Sequence, residues 1–308
     1  MSNCKACNYE KRTGTVIDGR PSKAFWADLI GVNEASIRRH LKHPQKATER
    51  QSGALVALEA TGVRILALDI ETAPNLAYVW GLWDQNVGLN QLVNSTEMLC
   101  FGARWLGDAP EEIIFRSSFH DGKTNMIADL HALLDEADAV MGWNSAGFDS
   151  KHMKREMLEA EMLPPSPYKE LDLMRVVKSQ FRFPSNKLDY VAQRLGVGAK
   201  VSHSGFDLWV KCMAGDAEAW EEMKTYQLQD VHLLIDLYAK LEPWMTNSHP
   251  NAALVSGKSM ACITCGSENV TDKGVAYTGT GTYRKYQCEC GRWMRGVKRA
   301  STNDLRAI

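Results

Sequence analysis

No apolar stretch in this chain of 308 residues approaches the roughly 18 to 20 residues that a membrane-spanning helix requires. The N-terminus also lacks the basic, apolar and small-residue order of a secretory signal. The expectation is a cytoplasmic protein without a membrane partner. Neither an internal repeat nor a low-complexity tract is present. With 44% hydrophobic and 24% charged residues, the chain can bury a substantial core and should divide into more than one unit.

Cysteines at disulfide-type spacing are missing as well. Six of the eight fall in close pairs near the two ends, Cys4 with Cys7, Cys262 with Cys265 and Cys288 with Cys290, a pattern of metal sites rather than disulfides. Cys100 and Cys212 stand alone and read as small buried hydrophobes. A large net charge is also absent, but the total of −1 hides an uneven distribution. Residues 1–64 hold 11 Lys and Arg against 6 Asp and Glu, residues 65–245 hold 16 against 27, and residues 246–308 hold 9 against 4. An acidic middle between basic ends suggests that the ends hold a polyanion while the middle holds cations or does chemistry.

Three regions follow: residues 1–60, 61–245 and 246–308. In the first, "PSKAFWADLIGVNEASIRRHLKHP" predicts a helix from about Ser22 to Ile30, a break at Gly31, a capping Asn33, and a second helix that Pro44 stops near His43. Two short helices across such a turn match a helix-turn-helix DNA-binding domain, whose second helix would present Arg38, Arg39 and Lys42. A helical hairpin with a solvated basic face fits the same pattern. Cys4 and Cys7 have no second cysteine pair nearby. His40 and His43 have the spacing to complete a zinc site with them, and an unliganded tail is the other option.

The middle region alternates apolar runs with helical patterns. Strands are expected near Val63–Ile70, Met98–Trp105, Glu112–Ser117 and Ala139–Gly142, and helices near Asn125–Ala137, Asp149–Met162, Asp172–Lys178, Lys187–Leu195 and Ala217–Leu241. That order implies an α/β domain with a mixed central sheet and helices on its faces.

Within it, "LALDIET" carries Asp69 and Glu71 out of an apolar run with no neighbouring cation to neutralise them. Strand alternation points both to one face, where paired carboxylates repel unless a cation lies between them. In "VMGWNSAGFDSKHM" a strand ending at Gly142 passes Asn144 and Phe148 into a helix that Asp149 begins. In "YQLQDVHLLIDLY", Tyr226 and Asp230 stack four residues apart on a helix whose leucines mark it as buried.

This ordered set, D-x-E, N-x-x-x-F-D and Y-x-x-x-D, resembles the DEDDy 3′→5′ exonucleases of the RNase H-like superfamily. It is especially similar to stand-alone relatives, frequent in bacteriophages, of the proofreading domain of family B DNA polymerases. The likeness covers about residues 65–244, where "PSNKLDYVAQRLGVG" and "GFDLWVKCMAGD" also look like that group. It implies that Asp69, Glu71, Asp149 and Asp230 hold two Mg²⁺ or Mn²⁺ ions, that Tyr226 orients the attacking water, and that Asn144 and Phe148 place the terminal nucleotide. DNA rather than RNA, and replication or recombination proteins, would be the partners. After Glu71 the segment "PNLAYVWGLWDQNVGLNQL" departs from the plain pattern; Tyr78, Trp80 and Trp83 either stack on bases or pack as an apolar flap.

At the C-terminus, "CITCG" and "CECGRW" place Cys262, Cys265, Cys288 and Cys290 on two turns, each followed by glycine, as in a structural zinc site. The single spacer in the second pair departs from the usual two. Between the pairs "YTGTGTYRKYQ" predicts a β-hairpin carrying Tyr277, Tyr283, Arg284, Lys285 and Tyr286, with Arg292, Trp293, Arg295, Lys298 and Arg299 beyond. Mixed aromatic and basic residues point to a zinc ribbon that grips nucleic acid, with a protein-interaction module as the alternative. The expected whole is a two-metal 3′→5′ exonuclease on DNA. Its rivals are an RNA-trimming exonuclease and a catalytically inert DNA-binding regulator.

Overall fold

A computed structural model of the chain describes residues 23–32, 37, 62–246, 251–255, 257–302 and 305. The chain forms two compact units, Met1–Val56 and Ala57–Ile308. In the first, helix α1 (Lys23–Ile30) ends at Gly31, whose φ of +69° suits a residue without Cβ, and Val32 N–H bonds back to the Ala27 carbonyl at 2.9 Å. Trp26, Ala27 and Ile37 form its buried cluster. Of the expected second helix only Ile37 is described, and it is helical; Arg38, Arg39 and Lys42 lie outside the described residues, as do Cys4, Cys7, His40 and His43.

In chain order the second unit comprises β1 (Ile65–Thr72), β2 (Leu76–Ala77), β3 (Leu92–Asn94), β4 (Met98–Trp105) and β5 (Ile114–Ser117). Next come α2 (Lys123–Glu136), β6 (Ala139–Gly142), α3 (Asp149–Glu159), β7 (Lys169–Asp172), α4 (Leu173–Gln180), α5 (Leu188–Leu195), α6 (Phe206–Met213) and α7 (Ala217–Leu241). The chain closes with a short helical turn, Ala252–Val255, and three strands, β8 (Val270–Thr278), β9 (Gly281–Cys288) and β10 (Trp293–Thr302). The five-stranded sheet has the order β5-β4-β1-β6-β7. β4 runs antiparallel to β1 and β5, whereas β6 runs parallel to β1 and β7, so the sheet is mixed as expected.

Alternation along β1 explains how both faces are covered. Leu66, Leu68 and Ile70 join Phe101, Met126, Leu130, Met153 and Met157 in the cluster beneath α2 and α3. The opposite face carries Ala73 and Cys100 into a second cluster with Leu208, Trp220, Met223 and Tyr226 from α6 and α7. Asp69 and Glu71 therefore face α7, not α2.

Their strand also differs from expectation. β1 begins at Ile65 rather than Val63 and runs on to Thr72, so both acids lie inside the strand, paired with Gly102 and Cys100 of β4. The parallel partner stops sooner: β6 pairs only with Ile65–Ala67 before it turns away at Gly142. The carboxyl ends of the two strands diverge there, the usual place for a site in such sheets.

Elements without a clear periodic signature were not anticipated. β7 has the polar sequence KELD, β10 mixes three cations with glycine and small polar residues, and α6 is one short helix between glycines. β8 and β9 form the expected hairpin, and β10 adds to β9 as a third antiparallel strand. Among the described residues, no helix is long and apolar enough to cross a membrane.

Candidate active site

Three elements bring the predicted acids together. Asp69 and Glu71 come from β1 and Asp149 from the first turn of α3, where its Oδ1 accepts the Ile70 N–H at 3.3 Å. Asp230 and Tyr226 come from the inner face of α7 and are 2% and 7% exposed. The turn into α3 is set by Asn144, whose φ of +63° lies in the left-handed region and whose N–H donates to Asp172 at 3.0 Å. Phe148 precedes Asp149, half out in solvent, with its ring 4.5 Å from that of His152.

Burial, reinforced by neighbouring like charges, raises every member. Burial, followed by the charges of Asp149, Glu71 and Asp230, raises Asp69 well above the usual carboxylate range. Burial pushes Glu71 up to about 7 despite the opposing pull of Lys200. Asp149 rises to about 6, again through burial, although hydrogen bonds from its own and the Ile70 N–H groups oppose the shift. The group cannot be fully ionised near neutrality without added positive charge.

Lys200 supplies one such charge, correcting the expectation that nothing neutralises these acids. From the loop after α5 its ammonium pairs with Asp230 and donates to the Tyr226 hydroxyl at 2.9 Å. Its backbone is fixed by Asp189, which accepts the Lys200 N–H at 2.9 Å. Burial works against the ammonium, but Asp230 and Tyr226 outweigh it and hold the lysine pKa above its usual value. Tyr226 is pushed up from the ordinary phenol range by burial and by Asp230.

Two further residues, also missed in the sequence, complete the surroundings. Gln227 donates to the Asp69 carbonyl at 2.6 Å and to its carboxylate at 3.1 Å. Trp209 of α6 hydrogen-bonds Glu71. Neither belongs to a spacing motif, although Gln227 directly follows Tyr226.

The donor set suits hard divalent cations. It consists of carboxylate oxygens, it needs positive charge, and one buried Asp230 oxygen lacks a hydrogen-bond partner. Among the described residues only the four cysteines bring three or more ligand atoms within 4.8 Å of one another. The carboxylates stand further apart, with Asp230 held by Lys200 and Asp69 by Gln227.

The cysteine cluster fits zinc closely. Cys262 and Cys290 sulfurs are 3.7 Å apart and those of Cys265 and Cys288 3.6 Å. A tetrahedron with Zn–S bonds of about 2.3 Å has edges of about 3.8 Å. Gly266 and Gly291 follow the pairs with φ of +66° and +97°, and each N–H returns to the carbonyl of the first cysteine at 2.9 Å. The single spacer in Cys288–Cys290 is thus accommodated.

Among the other candidates, Tyr78, Trp80 and Trp83 are 78%, 98% and 85% exposed, which rules out the packed flap. Arg292 is only 4% exposed and donates to the Glu242 and Met245 carbonyls, so it cannot contact a ligand outside. The Arg284 guanidinium is taken by Asp272, with Nε donating at 2.7 Å, while Lys285 points to the other face of the sheet.

A mixed five-stranded sheet carries acids on its central strand, with further acids at the start of one helix and on another, and this domain matches the RNase_H superfamily. Its family model matches residues 66–242, more than half of the chain, which therefore belongs to that superfamily. This membership supports nuclease action on nucleic acid with divalent metal. Among solved structures, the family B DNA polymerase from the hyperthermophilic archaeon Pyrobaculum calidifontis is similar at 16% identity and a TM-score of 0.46. The match covers 71% of this chain and 31% of the polymerase. No curated protein matches.

Proposed function

We propose that the chain is a metal-dependent 3′→5′ exonuclease of the DEDDy type acting on single-stranded or frayed DNA ends. The observation that carries this reading is the convergence of Asp69, Glu71, Asp149 and Asp230 beside Tyr226. The four carboxylates would hold two Mg²⁺ or Mn²⁺ ions, which when bound stabilise the attacking and leaving oxygens of a phosphodiester.

The chain's own groups then do the positioning. Tyr226 stays protonated at neutral pH and orients the attacking water through its hydroxyl, not as a base. Gln227 and Trp209 lock the carboxylates of Asp69 and Glu71, and Lys200 holds Tyr226 and Asp230 in register. Asn144 and Phe148 lie at the turn next to Asp149, suited to receive the terminal nucleotide. The exposed rings of Tyr78, Trp80 and Trp83, in the segment that follows Glu71, offer sequence-tolerant stacking to a frayed strand. The expected N-terminal helix-turn-helix and the C-terminal cysteine module, with zinc in place, would grip the polymer.

The test is digestion of end-labelled single-stranded and duplex DNA, and of RNA of the same sequence, with Mg²⁺ or Mn²⁺. DNA should shorten stepwise from its 3′ end, and Asp69→Ala should stop hydrolysis while retaining binding. Preference for RNA would assign the chain to RNA trimming, and intact DNA under every condition would leave a binding protein.

A further inference from the structure

The three-stranded C-terminal sheet has two chemically different faces. Alternation along β9 places Arg284, Tyr286 and Cys288 on one side and Tyr283, Lys285 and Gln287 on the other. The first side is the cysteine side: Asp272 lies opposite Tyr286 and neutralises Arg284, and Met294 packs on the thiols.

The second side gathers cations and rings. Register pairs Gln287 with Trp293, Lys285 with Arg295, and Tyr283 with Arg299. The Arg295 guanidinium lies 4.3 Å from the centroid of the Tyr283 ring, and Arg299 Nε donates to the Tyr283 hydroxyl at 3.2 Å. Lys285 Nζ is 5.8 Å from the centroid of Trp293, which remains 52% exposed.

Among the described residues of this module, every carboxylate is engaged elsewhere. Glu268 pairs with Lys258, Asp272 with Arg284, and Glu289 accepts from Ser267 and Asn269. Among the described residues the three cations of the second face have no carboxylate partner, and Trp293 beside them is open to solvent.

We propose that this face is a binding site for single-stranded DNA. Bases stack on Trp293 and on the Arg295–Tyr283 pair, while Lys285, Arg295 and Arg299 take the phosphates. A duplex would meet the cations but not the rings, because its base faces are covered by neighbouring pairs. The choice of DNA rests on the exonuclease reading above; the single-strand mode rests on this sheet alone.

The experiment measures fluorescence anisotropy of a labelled oligothymidylate, an oligouridylate of equal length and a duplex. It uses the full-length chain without catalytic metal. Trp293→Ala should weaken oligothymidylate binding about ten-fold. Lys285→Gln and Arg299→Gln should each reduce the salt slope by about 0.7, the single-strand value per phosphate. Lys258→Gln, a control on a cation outside the sheet, should change neither.

Zinc content equal to wild type shows that each variant keeps its cysteine site. Equal affinities for Trp293→Ala and Lys258→Gln would overturn the proposal, as would tighter binding of duplex or oligouridylate. A chain that digests nothing yet shows the Trp293 effect would refute the exonuclease reading alone. Normal digestion without the Trp293 effect would refute this proposal alone.

Discussion

Gly102 decides how close α7 comes to β1. It lies opposite Asp69 in the sheet, and a Cβ there would stand 3.0 Å from Gln227 Cγ and 3.1 Å from Val231 Cγ2. Ordinary contact begins near 3.4 Å, so helix and strand would have to part by a few tenths of an ångström. Neither neighbour can yield by rotating: Gln227 and Val231 are fully buried, and Gln227 holds Asp69 through two hydrogen bonds. Overpacking of this kind costs about 1–3 kcal/mol. Loss of glycine freedom in the unfolded chain offsets about 0.4–1 kcal/mol, leaving Gly102→Ala destabilised by about 1–2 kcal/mol. The same shift moves Tyr226 and Asp230 away from Asp69 and Glu71. Misplacement by 1 Å can cost about a hundred-fold in rate, so a shift of a few tenths should cost about ten-fold. Urea unfolding without metal reads the first effect, and single-turnover DNA digestion reads the second. A variant with the wild-type midpoint and rate would show that α7 does not bear on this glycine.

Lys200→Met leaves the buried Asp230 without its counter-charge, and the loss of charged hydrogen bonds should cost about 1.5–3 kcal/mol in chelator. Thermal melts should show Mn²⁺ narrowing the gap to wild type, and a gap unchanged by metal would contradict the idea that ammonium and cation serve the same acids. Glu156, fully buried on α3, accepts from Met98 N–H at 2.9 Å and Arg155 at 2.6 Å and is ion-paired with Lys123, whose Nζ is 3.0 Å away. Burial alone would raise its pKa, but these partners outweigh it and hold it below the usual carboxylate value. With a folded pKa below an unfolded one near 4.3, its contribution is present above that pH and lost as pH falls. Glu156→Gln should therefore lose about 1.5–3 kcal/mol near pH 7, and the deficit should shrink below about pH 4. Melts at both pH values check this, and a constant deficit would refute it.

The sequence made the strong periodicities legible. β4, β6 and α7 fall at their predicted bounds because long apolar runs or a 25-residue amphipathic pattern leave little choice. Asp69 and Glu71 stood out because acids at the end of an apolar run violate the local pattern, whereas Asp149, Tyr226 and Asp230 stood out only as parts of the ordered motif set and its resemblance. Lys200 was not, since a lone lysine in a loop resembles any solvated cation until the fold brings it 30 residues along the chain to Asp230. Arg292 and Arg284 misled for the opposite reason: composition registers their charge but not that Glu242 and Asp272 absorb it. β10 was hidden because its cations, Arg295, Lys298 and Arg299, follow no period of two; only its irregular pairing with β9 makes it a strand.

Helix α7 ties these parts into one mechanical argument. Asp216 caps its start, accepting the Glu218 N–H at 2.9 Å, and Tyr226, Gln227 and Asp230 occupy its middle. At its end, the buried Arg292 donates to the Glu242 carbonyl at 2.9 Å, where a cation also complements the helix dipole. Thr264 adds a hydrogen bond to the Glu242 carboxylate at 3.0 Å. Thr264 lies between Cys262 and Cys265, and Arg292 lies just after Cys290, so both docking residues belong to the turns that present the thiolates. Whatever orders those turns also orders the hold on α7. Asp230 is separated from Glu242 by about 18 Å of helix, and on either side of Asp230, at Gln227 and Val231, α7 is pinned against β4 at Gly102. Loss of the thiolate ligands should accordingly free the C-terminal sheet and its cationic face while the carboxylates keep their arrangement, because the helix is anchored to the sheet upstream of the point that is released.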